Sequence, residues 1–383
     1  MVLNFIILFW YLIFLIIAYS GISGLKPLST ESTLIFLSFL FFFFIGQITS
    51  KIIANKEYTK NRYSFKSKNI DTVILLFLIL YLSYSLSVIL NVYVIHDINI
   101  VSYRNSFFDG SKDNLKYFGG WYIYYAHFLA TVSILAILPF YIGTKKIKIQ
   151  LILLLCIVSY DVIFLSRTGV YYFVITLLCG FIIRKIKLRK VIIPIGTVIL
   201  LILAFSIYRE SELNITQIIK NTIINYHTAP YILFNDNIIE HNNIKYTGTG
   251  YASLGIYNLI FYIIDNNITI QINDLKQQLG VFYNLSNDDL IYIPYNAYYT
   301  SLGLVYIDFG YTGCIIISYF TGLTLSLINL LSKSIKPIEP IAIFYSTICM
   351  LSLLSPITLN IFAFVIVVFI LLFLFYYRNW IRS

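Results

Sequence analysis

Long apolar runs alternate with short polar connections over most of this chain. Ten of the runs are candidate membrane spans, at 4–20, 32–50, 71–95, 122–142, 149–165, 169–183, 190–208, 310–331, 340–354 and 357–376. A helix needs about 20 apolar residues to cross the hydrocarbon core of a bilayer. Backbone polar groups in hydrocarbon need internal partners, so uniformly apolar runs favour helices over barrel strands. The pattern therefore predicts an all-α fold, a polytopic membrane protein with about 10 transmembrane helices.

One long polar segment between Tyr208 and Phe309 interrupts this pattern. It divides the chain into an N-terminal group of seven spans (1–208), a large loop (209–309) and a C-terminal group of three spans (310–383). The apolar stretch 251–264 inside the loop predicts an interfacial or re-entrant helix, because an eleventh span would invert every later connection. The first run lacks a basic flank and a cleavage site, so we expect a retained helix rather than a signal peptide.

Composition and charge place this loop on one side of the membrane. The 383 residues are 59% hydrophobic and 11% charged, whereas about a quarter of a soluble domain is charged. The net charge of +10 comes mostly from basic residues in alternate short connections. Basic residues in short loops mark the cytoplasmic side. Both termini are therefore predicted to be cytoplasmic and the large loop external, and the basic charge is not a signal for nucleic-acid binding.

The cysteines and histidines of this sequence do not have the spacing of metal ligands. The four cysteines all fall in apolar runs without a CxxC spacing, and the four histidines are scattered along the chain. Such cysteines are typical of small buried hydrophobic residues. We therefore expect no disulfide framework, no metal site and no cofactor.

Arg167 is the clearest candidate for function. It lies in Ser166-Arg167-Thr168-Gly169, between two apolar runs at the predicted external face, and charged residues in or beside membrane spans are costly. A guanidinium pairs bidentately with phosphate oxygens, and the turn could add backbone N–H groups. The alternative is an arginine that only reaches the membrane surface. Asp161, six residues earlier, is a candidate partner.

Two further arginines are predicted at the same face. Arg209 ends the seventh span, where its alternative role is an interface anchor paired with Glu210, and Arg104 lies in the third connection. Three arginines at one membrane face favour a site for an anion presented at the outer surface, such as a lipid pyrophosphate.

The loop contributes two candidate acid–base groups. His227 stands early in it, where a neutral imidazole can act as a general base, or where a polar residue has no chemical role. Asp308 closes it, either as the N-cap of the helix that re-enters the membrane or as an external carboxylate that acts as a base or orients a sugar hydroxyl. The two roles of Asp308 are compatible.

The order of these features resembles the oligosaccharide repeat unit polymerases, the Wzy-type O-antigen and capsule polymerases. The likeness rests on four segments: the Ser166–Gly169 corner, Tyr226…Pro230…Phe234, Gly248-Thr249-Gly250-Tyr251, and Asn296…Thr300…Asp308-Phe309-Gly310…Gly313…Gly322. As a pattern of spans it covers most of the chain, and its specificity comes mainly from the last segment and the arginine corner.

The resemblance implies a metal-independent membrane glycosyltransferase of the bacterial inner membrane. Its donor and acceptor would be undecaprenyl-pyrophosphate-linked oligosaccharides, and a chain-length regulator is a candidate partner beside the bilayer. Catalytic roles would fall to Arg167, Arg209, Asp308 and His227. Substrate-binding roles would fall to Arg104, Tyr226 and Asn296.

Two alternative functions remain open from the sequence. A related glycan ligase would move the same donor to a different acceptor. A flippase or transporter of the same lipid-linked unit would also use arginines in or near the membrane, although many transporters carry internal repeats and none is visible here.

Overall fold

The computed structural model describes most of the chain. The described residues are 2–53, 68–99, 103, 116–164, 166–186, 196, 200, 203–204, 206–207, 214–241, 274–275, 277–278, 281–287, 294–296, 300–353 and 361–381. Their architecture is helical, with one short antiparallel pair of strands. The all-α prediction is confirmed at this level.

Helices account for most of the described residues. They are α1 (Val2–Ser20), α2 (Thr30–Ile53), α3 (Lys68–Ile89), α4 (Trp121–Tyr141), α5 (Ile147–Phe164), α6 (Thr168–Ile183), α7 (Ile215–Ile219), α8 (Tyr226–Phe234), α9 (Ser301–Ser334), α10 (Glu339–Leu351) and α11 (Ile361–Ile381). The strands are β1 (Phe282–Asn284) and β2 (Pro294–Asn296). Turns of π-helix follow α3, α7 and α8, at Leu90–Ile95, Lys220–Asn225 and Asn235–Glu240.

Six described helices are long and apolar enough to cross a membrane. They are Val2–Ser20, Thr30–Ile53, Ile70–Ile95, Trp121–Tyr141, Ile147–Phe164 and Ser301–Ser334. Shorter apolar helices occur at Thr168–Ile183 and Phe364–Tyr377. The chain is therefore a multi-pass membrane protein. The count of ten spans stays a prediction, because 190–208 lies mostly outside the described residues.

The chain divides into two compact units. The first comprises Met1–Asn61, Thr216–Ile338 and Phe344–Phe364, and the second comprises Arg62–Ile215, Glu339–Ile343 and Val365–Ser383. The first unit is thus assembled from three separated parts of the chain, and most of the second is one continuous stretch.

In the first unit, α2 and α9 approach each other at two glycines. A Cβ added to Gly46 would overlap the carbonyl oxygen of Tyr319, and one added to Gly322 would overlap the carbonyl oxygen of Phe43. Small residues at a helix interface let two backbones come this close, which is a common basis of helix association in membranes. The two glycines therefore make α2 and α9 a tightly packed pair.

Contacts along this pair also fix its direction. Gly322 lies against Phe43, and one turn later the Ser326 hydroxyl donates to the carbonyl oxygen of Gln47 at 3.4 Å. Sequence numbers increase together in both helices, so α2 and α9 run parallel.

Residues 215–240 are helical, which differs from the external loop predicted for this part of the chain. Their helix α8 packs against the N-terminal helices: the Phe36 ring lies 4.6 Å from that of Tyr231 and 4.9 Å from that of Phe234. The Tyr231 hydroxyl also donates to the carbonyl oxygen of Tyr11 at 3.0 Å. The apolar run in α8 is short and flanked by Asn, Lys and Asp, so hydropathy alone predicts a loop.

The helix α9 begins earlier than predicted and contains a break. Thr300 is its N-cap, because its side chain accepts from the amide of Gly303 at 2.9 Å. Thr300 thus caps the part of α9 before its break, and the interpretation of Asp308 as a cap for the part after the break stays a prediction. The break lies at Gly310, whose φ of 61° and ψ of −164° are outside the helical region and suit a residue without a Cβ.

Candidate functional site

The turn between α5 and α6 is built around the carboxylate of Asp161. This side chain is fully buried in α5. Its Oδ1 accepts from the amide of Gly169 at 3.2 Å, and its Oδ2 accepts from the amide of Val170 at 2.6 Å. Its backbone carbonyl accepts from the amide of Ser166 at 2.9 Å. One carboxylate therefore ties the end of α5 to the start of α6.

The first amides of α6 are occupied by the protein itself. Besides the two bonds to Asp161, the amide of Thr168 donates to the Ser166 hydroxyl at 3.1 Å and that of Tyr171 donates to the carbonyl of Arg167 at 2.9 Å. A helix N-terminus attracts anions through such amides, but here the anion is the carboxylate of the chain. The expectation that these N–H groups are open to a phosphate is therefore wrong.

Gly169 lets the carboxylate come this close to the helix. A Cβ at this position would lie 3.1 and 3.2 Å from the two Asp161 oxygens and 3.0 Å from Ile157 Cγ2. These distances are shorter than ordinary van der Waals contacts, so a larger residue would require the carboxylate and Ile157 to shift by a few tenths of an ångström. The glycine of the Ser-Arg-Thr-Gly motif thus has a packing role.

The guanidinium of Arg167 remains as the cationic group of this turn. Arg167 is the residue before α6, and its side chain makes no capping bond to the helix. Its Nη1 donates to the Ser206 hydroxyl at 2.8 Å, and the side chain is partly exposed. A positive charge thus stands at the end of two apolar helices on a backbone that Asp161 fixes.

A buried apolar cluster packs around the end of α5, next to the turn. The buried residues Val88, Val92, Tyr103, Phe118, Ile163 and Phe164 form one apolar cluster. The hydroxyl of Tyr93, beside this cluster, donates to the carbonyl of Ile163 at 2.9 Å. The last turn of α5 is therefore held by both packing and a hydrogen bond, which restrains the position of Arg167.

His227 is buried in α8 rather than exposed in a loop. Its ring stacks on Phe14 at 4.4 Å and meets Trp10 edge-on at 5.0 Å. Nδ1 lies 2.5 Å from the carbonyl oxygen of Ile223, so Nδ1 carries the proton and Nε2 is the acceptor. Burial lowers the pKa of His227 from its usual value near 6.5 to about 4. The ring is neutral at pH 7 and is a weak base.

Asp308, Tyr226 and Asn296 belong to the same unit as His227. Asp308 is buried in α9, two residues before the break at Gly310. Tyr226 begins α8 beside His227. Asn296 ends β2, where it pairs in register with Phe282, and its side chain lies outside the described residues.

One polar cluster is not evident from the sequence and is formed by Lys26, Ser29, Asn235, Asp236 and Glu240. Lys26 Nζ lies 3.2 Å from Asp236 Oδ2, and Asn235 donates to Glu240 Oε1 at 2.8 Å. The amide and hydroxyl of Ser29 donate to Asn235 Oδ1 at 3.1 and 2.6 Å. This Lys26 cluster joins the α1–α2 connection to the end of the helical segment 215–240. The run Asn235-Asp236-Asn237 is the only hint of it in the sequence.

The hairpin that carries Asn296 meets the same connection. The amide of Lys26 donates to the carbonyl of Leu285 at 2.9 Å, and the amide of Asn287 donates to that of Gly24 at 3.3 Å. The strands β1 and β2 therefore extend the polar surface around the Lys26 cluster.

The remaining predicted residues fall elsewhere. Arg104, Arg209, the Gly248–Tyr251 segment and the helix predicted at 251–264 lie outside the described residues. Arg167 belongs to the second unit, and Tyr226, His227, Asn296 and Asp308 belong to the first. Within the described part of the chain, no group of three or more His, Cys, Asp or Glu residues could hold a metal ion.

Comparisons with known proteins identify no relative. No family model matches the chain, and neither does any curated protein or solved structure.

Proposed function

We propose that this protein is a membrane glycosyltransferase that polymerises undecaprenyl-pyrophosphate-linked oligosaccharide repeat units at the outer face of a bacterial inner membrane. The product would be an O-antigen or capsular polysaccharide. The observation that carries the proposal is the Arg167 turn, where Asp161 fixes the backbone that holds one guanidinium at the end of two apolar helices.

The proposed reaction breaks the bond between the anomeric carbon of the donor glycan and its pyrophosphate oxygen. The hydroxyl of an acceptor repeat unit forms the new glycosidic bond and loses its proton, and undecaprenyl pyrophosphate leaves. Negative charge builds on the leaving group in the transition state. In this proposal the preorganised cations Arg167 and Arg209 stabilise that charge, and Arg104 contributes to binding of the substrate.

For the acceptor hydroxyl, the candidates are Asp308 and His227. An efficient general base has a pKa near the working pH, and the lowered pKa of His227, about 4, disfavours it as the base. Its ring is also held between Trp10 and Phe14. We therefore assign His227 the role of positioning α8 through its packing, and keep Asp308 as the candidate that orients or deprotonates the acceptor hydroxyl.

A polymerisation assay in membranes tests the proposal. Deletion of the gene should leave single repeat units in place of long glycans, and full-length glycans in the deletion strain would contradict the function. Arg167→Ala and Arg209→Ala, at matched expression, should each lower polymerisation about 10²–10³-fold, the usual cost of losing one such transition-state contact. Arg167→Lys keeps the charge without the bidentate fork and should fall between.

The matched control is Lys333→Gln, which removes one basic charge from an exposed position near the end of α9. It should polymerise normally. If deletion abolishes long glycans but both arginine variants make normal chain lengths, the function stands and the role of the arginines is wrong.

A further inference from the structure

Three exposed lysines lie at the end of the second unit opposite to the Arg167 turn along α5 and α6. Lys145 and Lys148 flank the start of α5, and Lys185 follows the end of α6. The α4–α5 connection and the end of α6 touch each other, since a Cβ on Gly143 would lie 2.9 Å from Ile186 Cδ1 and 3.6 Å from the carbonyl oxygen of Gly180. The chain segments that carry the three lysines are therefore neighbours at this end of the unit.

The acidic groups at this end are already paired with other basic residues. Asp71 binds Lys146, whose Nζ lies 2.5 Å from Oδ2, and Glu339 binds Arg184 at 3.3 Å. Arg184 also donates to the carbonyls of Pro139 and Phe140 at the end of α4. In the described part of the chain, no acidic residue pairs with Lys145, Lys148 or Lys185. Among the described residues, the positive charge of these three lysines is therefore not offset by an acidic group.

An apolar stripe continues from these lysines along α5. The exposed fractions of Ile147, Leu151 and Leu155 are 65%, 56% and 52%. Lys148 stands three residues before Leu151 and seven before Leu155, which puts them on one helix face. A cationic end above an apolar stripe matches a molecule with an anionic head and a hydrocarbon tail.

Lys185 is held in a backbone conformation that is uncommon for its residue type. Its φ is +52°. The amide of Ile186 donates to the carbonyl of Phe181 at 3.0 Å and that of Lys185 to Ile182 at 3.3 Å. These bonds form a Schellman motif, whose left-handed position is usually occupied by glycine. Non-glycine residues in such strained conformations concentrate at functional positions, which makes Lys185 a candidate for a functional role.

We propose that Lys145, Lys148 and Lys185 bind the headgroup of an anionic phospholipid whose acyl chain lies along Leu151 and Leu155. The lysines stand where three apolar helices end, which is the level of lipid headgroups, and each basic residue near such a surface strengthens binding of anionic lipid. The site is distinct from the Arg167 turn and does not depend on the proposed polymerase activity.

Lipid binding by the full-length protein in detergent micelles tests this site. Native mass spectrometry would count bound phosphatidylglycerol and phosphatidylcholine with identical acyl chains. The wild type should prefer phosphatidylglycerol, and the triple variant K145Q/K148Q/K185Q should lose about fivefold of that preference for each lysine. Equal binding of both lipids to the wild type would overturn the proposal.

Two controls separate this site from general surface charge. The triple variant K51Q/K333Q/K336Q removes three exposed basic charges from the first unit and should retain the preference. An equal loss in this variant would show that no specific surface is involved. Inorganic phosphate should not displace phosphatidylglycerol at matched concentration, and full displacement would mean that a free phosphate is the occupant.

Lys185→Gly distinguishes an effect of the lysine charge on lipid binding from an effect on protein stability. Glycine keeps the left-handed position without strain, so thermal stability should be unchanged or higher while the preference for phosphatidylglycerol falls about fivefold. An unchanged preference would remove Lys185 from the site.

Discussion

Asp161 is a carboxylate inside an apolar helix, where an ionisable group is costly and usually functional. Both of its oxygens bind amides at the start of α6. Its role is therefore to position the turn that carries Arg167. The position of Arg167, the clearest candidate in the sequence, thus depends on Asp161.

Replacing Asp161 tests that dependence. Asp161→Ala leaves two buried N–H groups without an acceptor and should lower the free energy of unfolding by about 1–3 kcal/mol. Asp161→Asn keeps a single acceptor oxygen and should lie between alanine and the wild type. Thermal unfolding in micelles would measure the order of the variants.

Asp274, an exposed carboxylate, provides the control for loss of charge. Asp274→Asn should leave stability within about 0.5 kcal/mol of the wild type, as most surface substitutions do. A stable Asp161→Ala protein would mean that the turn does not need its carboxylate.

The packing of α2 against α9 requires a glycine in each helix. Gly46 and Gly322 each face a backbone carbonyl of the partner helix, so the contact has no room for a side chain. The hydropathy of α2 and α9 does not distinguish this pair from any other two membrane spans. The sequence predicts both helices but not their pairing, because the decisive feature is the absence of a methyl group at two positions.

Gly46→Ala and Gly322→Ala should each destabilise the protein by about 1–3 kcal/mol, the usual cost of overpacking. Gly196→Ala is the matched control, because nothing lies within 4 Å of a Cβ at that position. Thermal unfolding of the three variants should separate the first two from the third. Equal midpoints would show that the helices can move apart without cost.

The motif at the end of the predicted loop has a structural explanation at the same scale. Gly310 has a positive φ at the break in α9, and a Cβ on Gly313 would overlap the Cβ of Phe309. Gly310 and Gly313 are thus required by the bend that follows Asp308, whereas Gly322 of the same motif lies against α2. The spacing could be recognised from the sequence, but its cause is the conformation of the backbone.

For the whole molecule, the distribution of basic residues predicts which end of each helix faces the cytoplasm. The four native cysteines are all buried, so we expect little reaction of the wild type with a thiol label. Lys145→Cys, in a predicted cytoplasmic connection, should react with a membrane-impermeant maleimide only after the cells are opened. Asp274→Cys, in the predicted external segment, should react in spheroplasts.

The unmodified protein should remain unlabelled in both conditions. Labelling of Lys145→Cys from outside, or protection of Asp274→Cys until lysis, would reverse the predicted topology. Such a reversal would also remove the proposed acceptor chemistry from the outer face.

Hydropathy predicted most of the described helices because a membrane span must be long and apolar, and the bounds of α1 to α6 follow the apolar runs closely. It failed for α8, which is buried by its neighbours rather than by lipid. It also placed Arg167 correctly at the turn between two helices, but could not show that Asp161 already occupies the adjacent amides. That arrangement depends on the relative orientation of two helices, which residue spacing does not encode.

The close contact between α2 and α9 also dictates an order of events at the ribosome. At about 5–20 residues per second, synthesis of the chain from Ile53 to Ser334 takes roughly 15 s to one minute. During that time α2 has entered the bilayer without its tightest partner, while α3 to α6 can already assemble with one another. The backbone at Gly46, which α9 covers in the folded protein, therefore has no partner from α9 until that helix has been made.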